Sequence, residues 1–364
     1  MKRSTALAAA LLGGLTSVGS IPGTAFADGG GPAYHDDRKE GEHHHGGEGA
    51  VFVQTNKAEG NTIKVYDRDE DGRLTKAGEY ETGGLGGFTI GAPLDALASQ
   101  GSLTYHRGLL WSGGLLPVTI AARGDLVYVL DAGGEGSVQG FTLNKGHLSR
   151  IENANRSLGL HNGNPPAFGA APAQGKIDPD REFVLVSTKA ANVMFSYEIG
   201  RHGELARNPV ISDAGNAPFG FTFDTDDTLL VTESGANAVS LFELEDDGAL
   251  DHIGPSVPNG QQATCWIQRV GDYFYVANAG TSTISSYRVN DHGKLELVNA
   301  VAADTGGGSI DMTTSDGFLY VQNATAGNVQ GYEVHEDGSL KLVTTVEGLP
   351  KFADGIGMEG IAAS

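Results

Sequence analysis

Asp311 and Glu359 are carboxylates that could take a proton from water, and other residues of the same pattern could hold a ligand or a developing oxyanion. These are Gln100, Gln262, Thr264 and Ser309, with Trp266 as a flat ring on which a ligand could rest. All stand near the start of similar short segments, SQGSLTY, QQATCWIQ, GSIDMTT and EGIAAS. The ordinary alternative is that they bond to backbone and trapped water. His161 and Arg107 lie in two irregular stretches, and loops on a rigid scaffold often carry function. Cys265 would need a nearby His base to be a nucleophile, and its segment has none, so a buried core thiol is expected. No nucleophile elbow, phosphate loop or zinc-type Cys/His spacing occurs. DRDEDG (Asp67 to Gly72) begins like a calcium loop, but its twelfth position is Gly78, and it falls in register with the Gly turns EDDG and HEDG.

The elements that must position these residues follow from a repeat. Val186, Val231, Val276 and Val321 each end an apolar run and lie 45 residues apart. Eleven residues after each comes an aromatic ring, Tyr197, Phe242, Tyr287 and Tyr332, and six further on a Gly, at 203, 248, 293 and 338. Such a period, with alternating strands and polar turns, predicts an all-β fold, a β-propeller of four-stranded blades. The first strand of each blade lines the axis and the last lies at the rim. Alternation in the third strand sends its aromatic between blades. The candidates above open the axial strands, whose starts converge on one mouth of the central channel.

Two breaks interrupt the beat. Val129 lies 57 residues before Val186, so the region SLGLHNGNPPAFGAAPAQGK, which holds His161, must loop out. Val53 lies 76 residues before Val129, too many for one blade and too few for two. The intervening SQGSLTYHRGLLW predicts a truncated second blade containing Arg107, with poor local order from Leu85 to Gly114. The C-terminal GMEGIAAS reads as an axial strand and AVFVQTN begins without one, so the two ends should complete one blade. The expectation is six full blades and one remnant.

Residues 1–27 read as a signal peptide: Lys2 and Arg3, the apolar ALAAALLGGL, then TAFA with cleavage before Asp28. Residues 28–49 form a polar His/Gly/acidic leader expected to be disordered, whose His43, His44 and His45 could hold a transition metal only loosely. The propeller occupies 50–364. A secreted, extracellular protein without membrane insertion is therefore expected, and a monomer. The 55 glycines suit many tight turns, and the single Cys excludes an intrachain disulfide framework. A formal charge of −21 repels phosphate backbones, so nucleic acid is a poor partner, while cations and neutral ligands remain open.

The strings YVANAGTSTISSYRVNDHGKLELV, PFGFTFDTDDTLLVTESGANAVSLFELEDDGAL and ATCWI resemble exported actinobacterial members of the lactonase-like seven-bladed propellers. That superfamily includes 6-phosphogluconolactonases and muconate-lactonising enzymes. The resemblance spans about Ala50 to Ser364. It implies a seven-bladed ring and hydrolysis of a sugar or aromatic lactone at the channel mouth, with no redox cofactor and with a divalent cation left open. Family catalysts often start an axial strand with Pro-His-x-His, and no axial start here contains His. The alternative is therefore a non-catalytic extracellular propeller that binds a ligand, glycan or protein.

Overall fold

The computed structural model describes residues 49–107, 109–112, 116–224, 227–353 and 356–364. The apolar runs ending in or around Val186, Val231, Val276 and Val321 are strands buried on both faces. They are the second strands of antiparallel sheets, sandwiched between neighbouring blades. The stretches read from the sequence as a signal peptide and a His-rich leader lie outside the described residues, except Gly49, which already belongs to the first strand. No helix occurs among the described residues.

Seven sheets follow one another around an axis. Blade 3 is Pro117–Arg123, Leu126–Asp131, Ser137–Asn144 and His147–Ser157, and blade 4 is Pro172–Ile177, Phe183–Thr188, Val193–Glu198 and Val210–Asp213. Blade 5 is Pro218–Phe223, Thr228–Glu233, Ala238–Leu244 and Leu250–His252, with Val257–Pro258 added against its third strand. Blade 6 is Thr264–Val270, Tyr273–Asn278, Thr283–Val289 and Leu295–Asp304, and blade 7 is Ser309–Ser315, Phe318–Asn323, Asn328–Val334 and Leu340–Val346. Blade 1 takes its innermost strand, Gly357–Ala363, from the C-terminus and pairs it with Gly49–Asn56, followed by Thr62–Arg68 and Leu74–Glu81. Blade 2 is the remnant, a hairpin of Leu103–His106 and Leu109–Ser112. Each axial strand touches the next, and the last touches the C-terminal strand, so the ring is closed. The expected six full blades, remnant and shared blade are all present.

Most of the hydrophobic clusters join neighbouring blades, and one lies within blade 3. Tyr128 and Leu130 of blade 3 pack with Val184 and Tyr197 of blade 4, Leu185 of blade 4 with Phe242 of blade 5, and Leu230 of blade 5 with Tyr287 of blade 6. The phase-locked Gly closes the same seams from the rim. Tyr275 of blade 6 donates its hydroxyl to the Gly338 carbonyl in blade 7 (3.1 Å), and Tyr320 of blade 7 donates to that of Gly72 in blade 1 (3.0 Å). Gly338 has a φ of 76°, and a Cβ there would overlap the Tyr273 ring. Gly293 occupies the same turn position in blade 6 with a φ of 68° but open space around it. Gly338→Ala should therefore cost about 2–4 kcal/mol through left-handed strain plus overpacking, and Gly293→Ala only about 1 kcal/mol through strain. Urea unfolding of the two variants checks the difference. DRDEDG is likewise a rim turn, with the Gly72 N–H donating to the Asp69 carbonyl at 3.0 Å.

Neighbouring axial strands splay too far to form a ladder, so their inward polar backbone needs other partners. Side chains supply them. Thr104 donates to Ile120 O (2.8 Å), Thr119 to Gly175 O (3.2 Å), Gln268 to Met312 O (2.8 Å) and Gln322 to Gly360 O (2.9 Å), while Gln174 accepts from Phe221 N (2.6 Å). This girdle fixes the geometry of the channel wall.

Candidate functional site

Every full blade breaks register near the start of its axial strand. The irregularity lies between Pro117 and Thr119, Pro172 and Gln174, Pro218 and Phe221, Thr264 and Trp266, Ile310 and Met312, and opposite the interval from Val53 to Thr55. Bulges of this kind re-aim a side chain. Asp311 lies in the fifth of them and Glu359 in the sixth, on adjacent strands. The turn before these strands is tight, with left-handed backbone at Leu116, Ala217, Ala263 and Gly308.

The two sequence breaks meet over this end of the channel. Ile90 N donates to Pro166 O (2.8 Å), Phe168 N donates back to Ile90 O (2.9 Å), and Thr89 N donates to Ala96 O (2.7 Å). Held by this clasp, Asp95 to Gln100 descends into the channel and is fully buried. Within the stretch from Leu85 to Gly114, Asp95–Gln100 is buried while Leu85, Phe88 and Ile90 are exposed; Gly108, Gly113 and Gly114 lie outside the described residues. The segment acts as a plug. Ser99 Oγ donates to Val118 O (2.6 Å), Trp266 Nε1 donates to Ser99 O (2.8 Å), and Gln100 both donates to Ile267 O (2.8 Å) and accepts from Ile267 N (2.9 Å). The plug thus bridges blades 3 and 6 across the axis.

Its charged residue, Asp95, accepts from Leu97 N (3.1 Å) and Ser99 N (3.0 Å), and its carboxyl hydrogen-bonds to that of Glu359. Burial, then the charge of Asp95 and this bond, raise the Glu359 pKa well above the usual carboxyl range. Asp311 is pushed up to about 8, chiefly by burial and then by Asp95, an effect that nearby backbone N–H groups only partly offset. Its Oδ1 accepts from Met312 N (2.9 Å), whereas Oδ2 accepts no hydrogen bond from any described residue. Lys189 completes the cluster. Its Nζ donates to Ala98 O (2.8 Å) and lies 5.0 and 5.2 Å from the ring centres of Phe168 and Phe219, and burial lowers its pKa to about 8. Burial also drives the Cys265 thiol up to about 12, which makes it a poor nucleophile.

Of the residues singled out from the sequence, the fold brings Asp311, Glu359, Gln100 and Trp266 together around the plug. Thr264 is buried nearby, but it donates to Asn278 (2.8 Å) and joins Asn259 in a local network. Ser309 donates to Thr283 O (3.3 Å). Gln262 points outward beside the left-handed Ala263 and is exposed. His161 is exposed and paired with Glu135 (2.9 Å), and Arg107 is exposed against Gly124 O (3.0 Å); neither reaches the channel. Sequence reasoning missed Asp95 and Lys189. Lys189 carried a signal, for three residues after the marker Val the other copies have Ser234, Ala279 and Ala324. Among the described residues no three His, Cys, Asp or Glu are grouped to hold a metal ion.

The profile of the family described as lactonase, 7-bladed beta-propeller, matches residues 135–267 and 259–351, together more than half of the chain. The chain belongs to that family. The lactonase propeller has no match among curated protein sequences. Among solved structures it is similar to the periplasmic gluconolactonase of Pseudomonas aeruginosa, with a TM-score of 0.61, 16% identity, and coverage of 86% of this chain and 99% of that one. A candidate 6-phosphogluconolactonase of Bacteroides uniformis gives a TM-score of 0.56 at 16% identity, covering 84% of both chains. A chain of a nidogen/laminin complex gives 0.52 at 13%, covering 86% and 97%. At these identities the likeness is one of fold.

Proposed function

We propose that this lactonase propeller hydrolyses a neutral sugar or aromatic lactone in its channel, outside the cytoplasm, with Asp311 or Glu359 as general base. The observation that supports it most is the unbonded Oδ2 of Asp311, buried on the channel wall beside Glu359 and Asp95 in a chain of lactonase descent. In the plugged state Asp311 and Glu359 are sealed and hold their protons. Substrate and water enter when the plug moves, as lids do in many enzymes. Hydration then returns a carboxyl to its ionised form. The carboxylate takes a proton from water, the hydroxide adds to the lactone carbonyl, and the proton passes to the ring oxygen as the C–O bond breaks. The reaction is redox-neutral and calls for no redox cofactor. A chain carrying −21 favours an uncharged lactone over a phosphorylated one. The basic start and apolar stretch of residues 1–27 support export, and the protein is read as a monomer acting on a small molecule.

A second reading is a non-catalytic propeller that binds a ligand, glycan or protein. The plug favours it, because Gln100 and Trp266 spend their polar groups on the plug and channel wall. Proton release by the full chain on a panel of unphosphorylated sugar lactones and aromatic lactones at pH 8 separates the two. The hydrolase reading expects at least one lactone to open well above its spontaneous rate. A panel with no catalysed member supports the binding reading.

A further inference from the structure

The seat of the plug is built on buried titratable groups that come from different parts of the fold. Asp95 is on the plug itself, Glu359 on the C-terminal strand of blade 1, Asp311 on blade 7, Lys189 on blade 4 and Cys265 on blade 6. The carboxyls of Asp95 and Glu359 thus meet at one backbone group, both accepting from Leu97 N (3.1 and 3.4 Å), and all three acids, Asp311 included, are buried out of contact with water. Glu359 and Asp311 can stay unhydrated there only by holding protons, because like charges close together repel strongly in a low dielectric. The plug also holds an unfavourable backbone, with left-handed Ala98 (φ 57°) at the residue whose carbonyl Lys189 grips. We propose that the Asp95–Gln100 plug is a pH-responsive lid, seated while Glu359 and Asp311 hold protons and loosened when those protons are lost. This concerns the lid and does not depend on the channel being catalytic.

The sign follows from linkage. With the plug out and the channel hydrated, Glu359 and Asp311 approach ordinary carboxyl behaviour, so seating the plug takes up protons between about pH 5 and about pH 8. The raised pKa values therefore favour the seated state at low pH and lose that effect as pH rises toward about 8, the Asp311 value. Lys189 has the opposite sign, but its lowered value of about 8 confines its contribution to more alkaline pH. Cys265 titrates higher still. The window from pH 5.5 to 7.5 belongs to the carboxyls. The strand ladders of the ring do not involve these carboxyls, so the lid loosens rather than the ring unfolding.

Hydrogen exchange of the full chain at pH 5.5, 6.5 and 7.5, corrected for intrinsic rates, tests this. Protection of the Asp95–Gln100 amides is expected to fall up to about tenfold per pH unit for each proton lost. The buried strands Thr228–Glu233 and Tyr273–Asn278 should stay flat and serve as the internal reference. Asp311→Asn with Glu359→Gln should abolish the slope, and Glu359→Gln alone should reduce it. A flat profile for the plug in the unaltered protein overturns the proposal, whether or not the double variant folds. So does an unchanged slope in a folded double variant. Neither readout involves lactone turnover, so the lid can fail while the hydrolase reading stands, and the reverse.

Discussion

Removing Gly357–Ser364 is expected to leave a chain that does not fold into the ring. This segment is the innermost strand of blade 1, paired with Gly49–Asn56 along its length and buried at all but its last positions. Met358 and Ile361 belong to the cluster that joins blade 7 to blade 1 through Tyr320, Val329, Val51 and Val53. Burial of those two side chains alone is worth about 3–6 kcal/mol, and the net stability of a domain is only about 5–15 kcal/mol. The deletion also strips the ladder partners of Gly49–Asn56 and the Gly360 carbonyl that Gln322 binds, so backbone loss adds to apolar loss. Circular dichroism and urea titration of the truncated chain should show loss of the cooperative transition, whereas a shift of a few degrees would mean that the ring closes elsewhere.

Asp311→Asn combined with Glu359→Gln is expected to lower kcat by about 10²–10⁴-fold, the usual contribution of a general base. KM should change little, because the amides keep the shape of the acids. Whichever single variant reproduces the loss identifies the base. Stability should move the other way. A group with a raised folded pKa contributes stability that is complete at acid pH and is lost as pH climbs through its folded value, here about 8 for Asp311. The unaltered protein should therefore lose stability between about pH 5 and 8 while activity rises over the same range, and the double variant should lose less. A stability curve that rises with pH in this window would contradict the buried-proton account.

The blade plan was legible because each blade is a local unit whose strands alternate and whose turns demand Gly. The 45-residue phase located the second strands, the rim turns and the bulged axial starts that carry Asp311 and Glu359. That blade 2 is cut down could be read from the 76-residue interval, although the remnant keeps its two inner strands and lacks the outer ones. What the sequence hid was the fate of the surplus residues. Asp95 sits in LAS-type irregular chain with no period, and only the closed ring brings it beside Glu359, 264 positions away. The loops of His161 and Arg107 clasp each other's neighbours through backbone bonds and leave both side chains exposed, so loop position alone does not bring them to the channel. Lys189 differed in kind from its repeat counterparts, and a repeat column that is small elsewhere and charged once deserves that weight.

The central claim is that carboxyls gathered at the bulges of the axial strands perform lactone hydrolysis. It is tested most directly by following ring opening of one reactive neutral sugar lactone at pH 8, with the full chain and its Asp311→Asn, Glu359→Gln form side by side and both verified as folded. The account predicts catalysed opening by the unaltered protein and a loss of at least about 100-fold in the variant. Equal rates in the two proteins would contradict it.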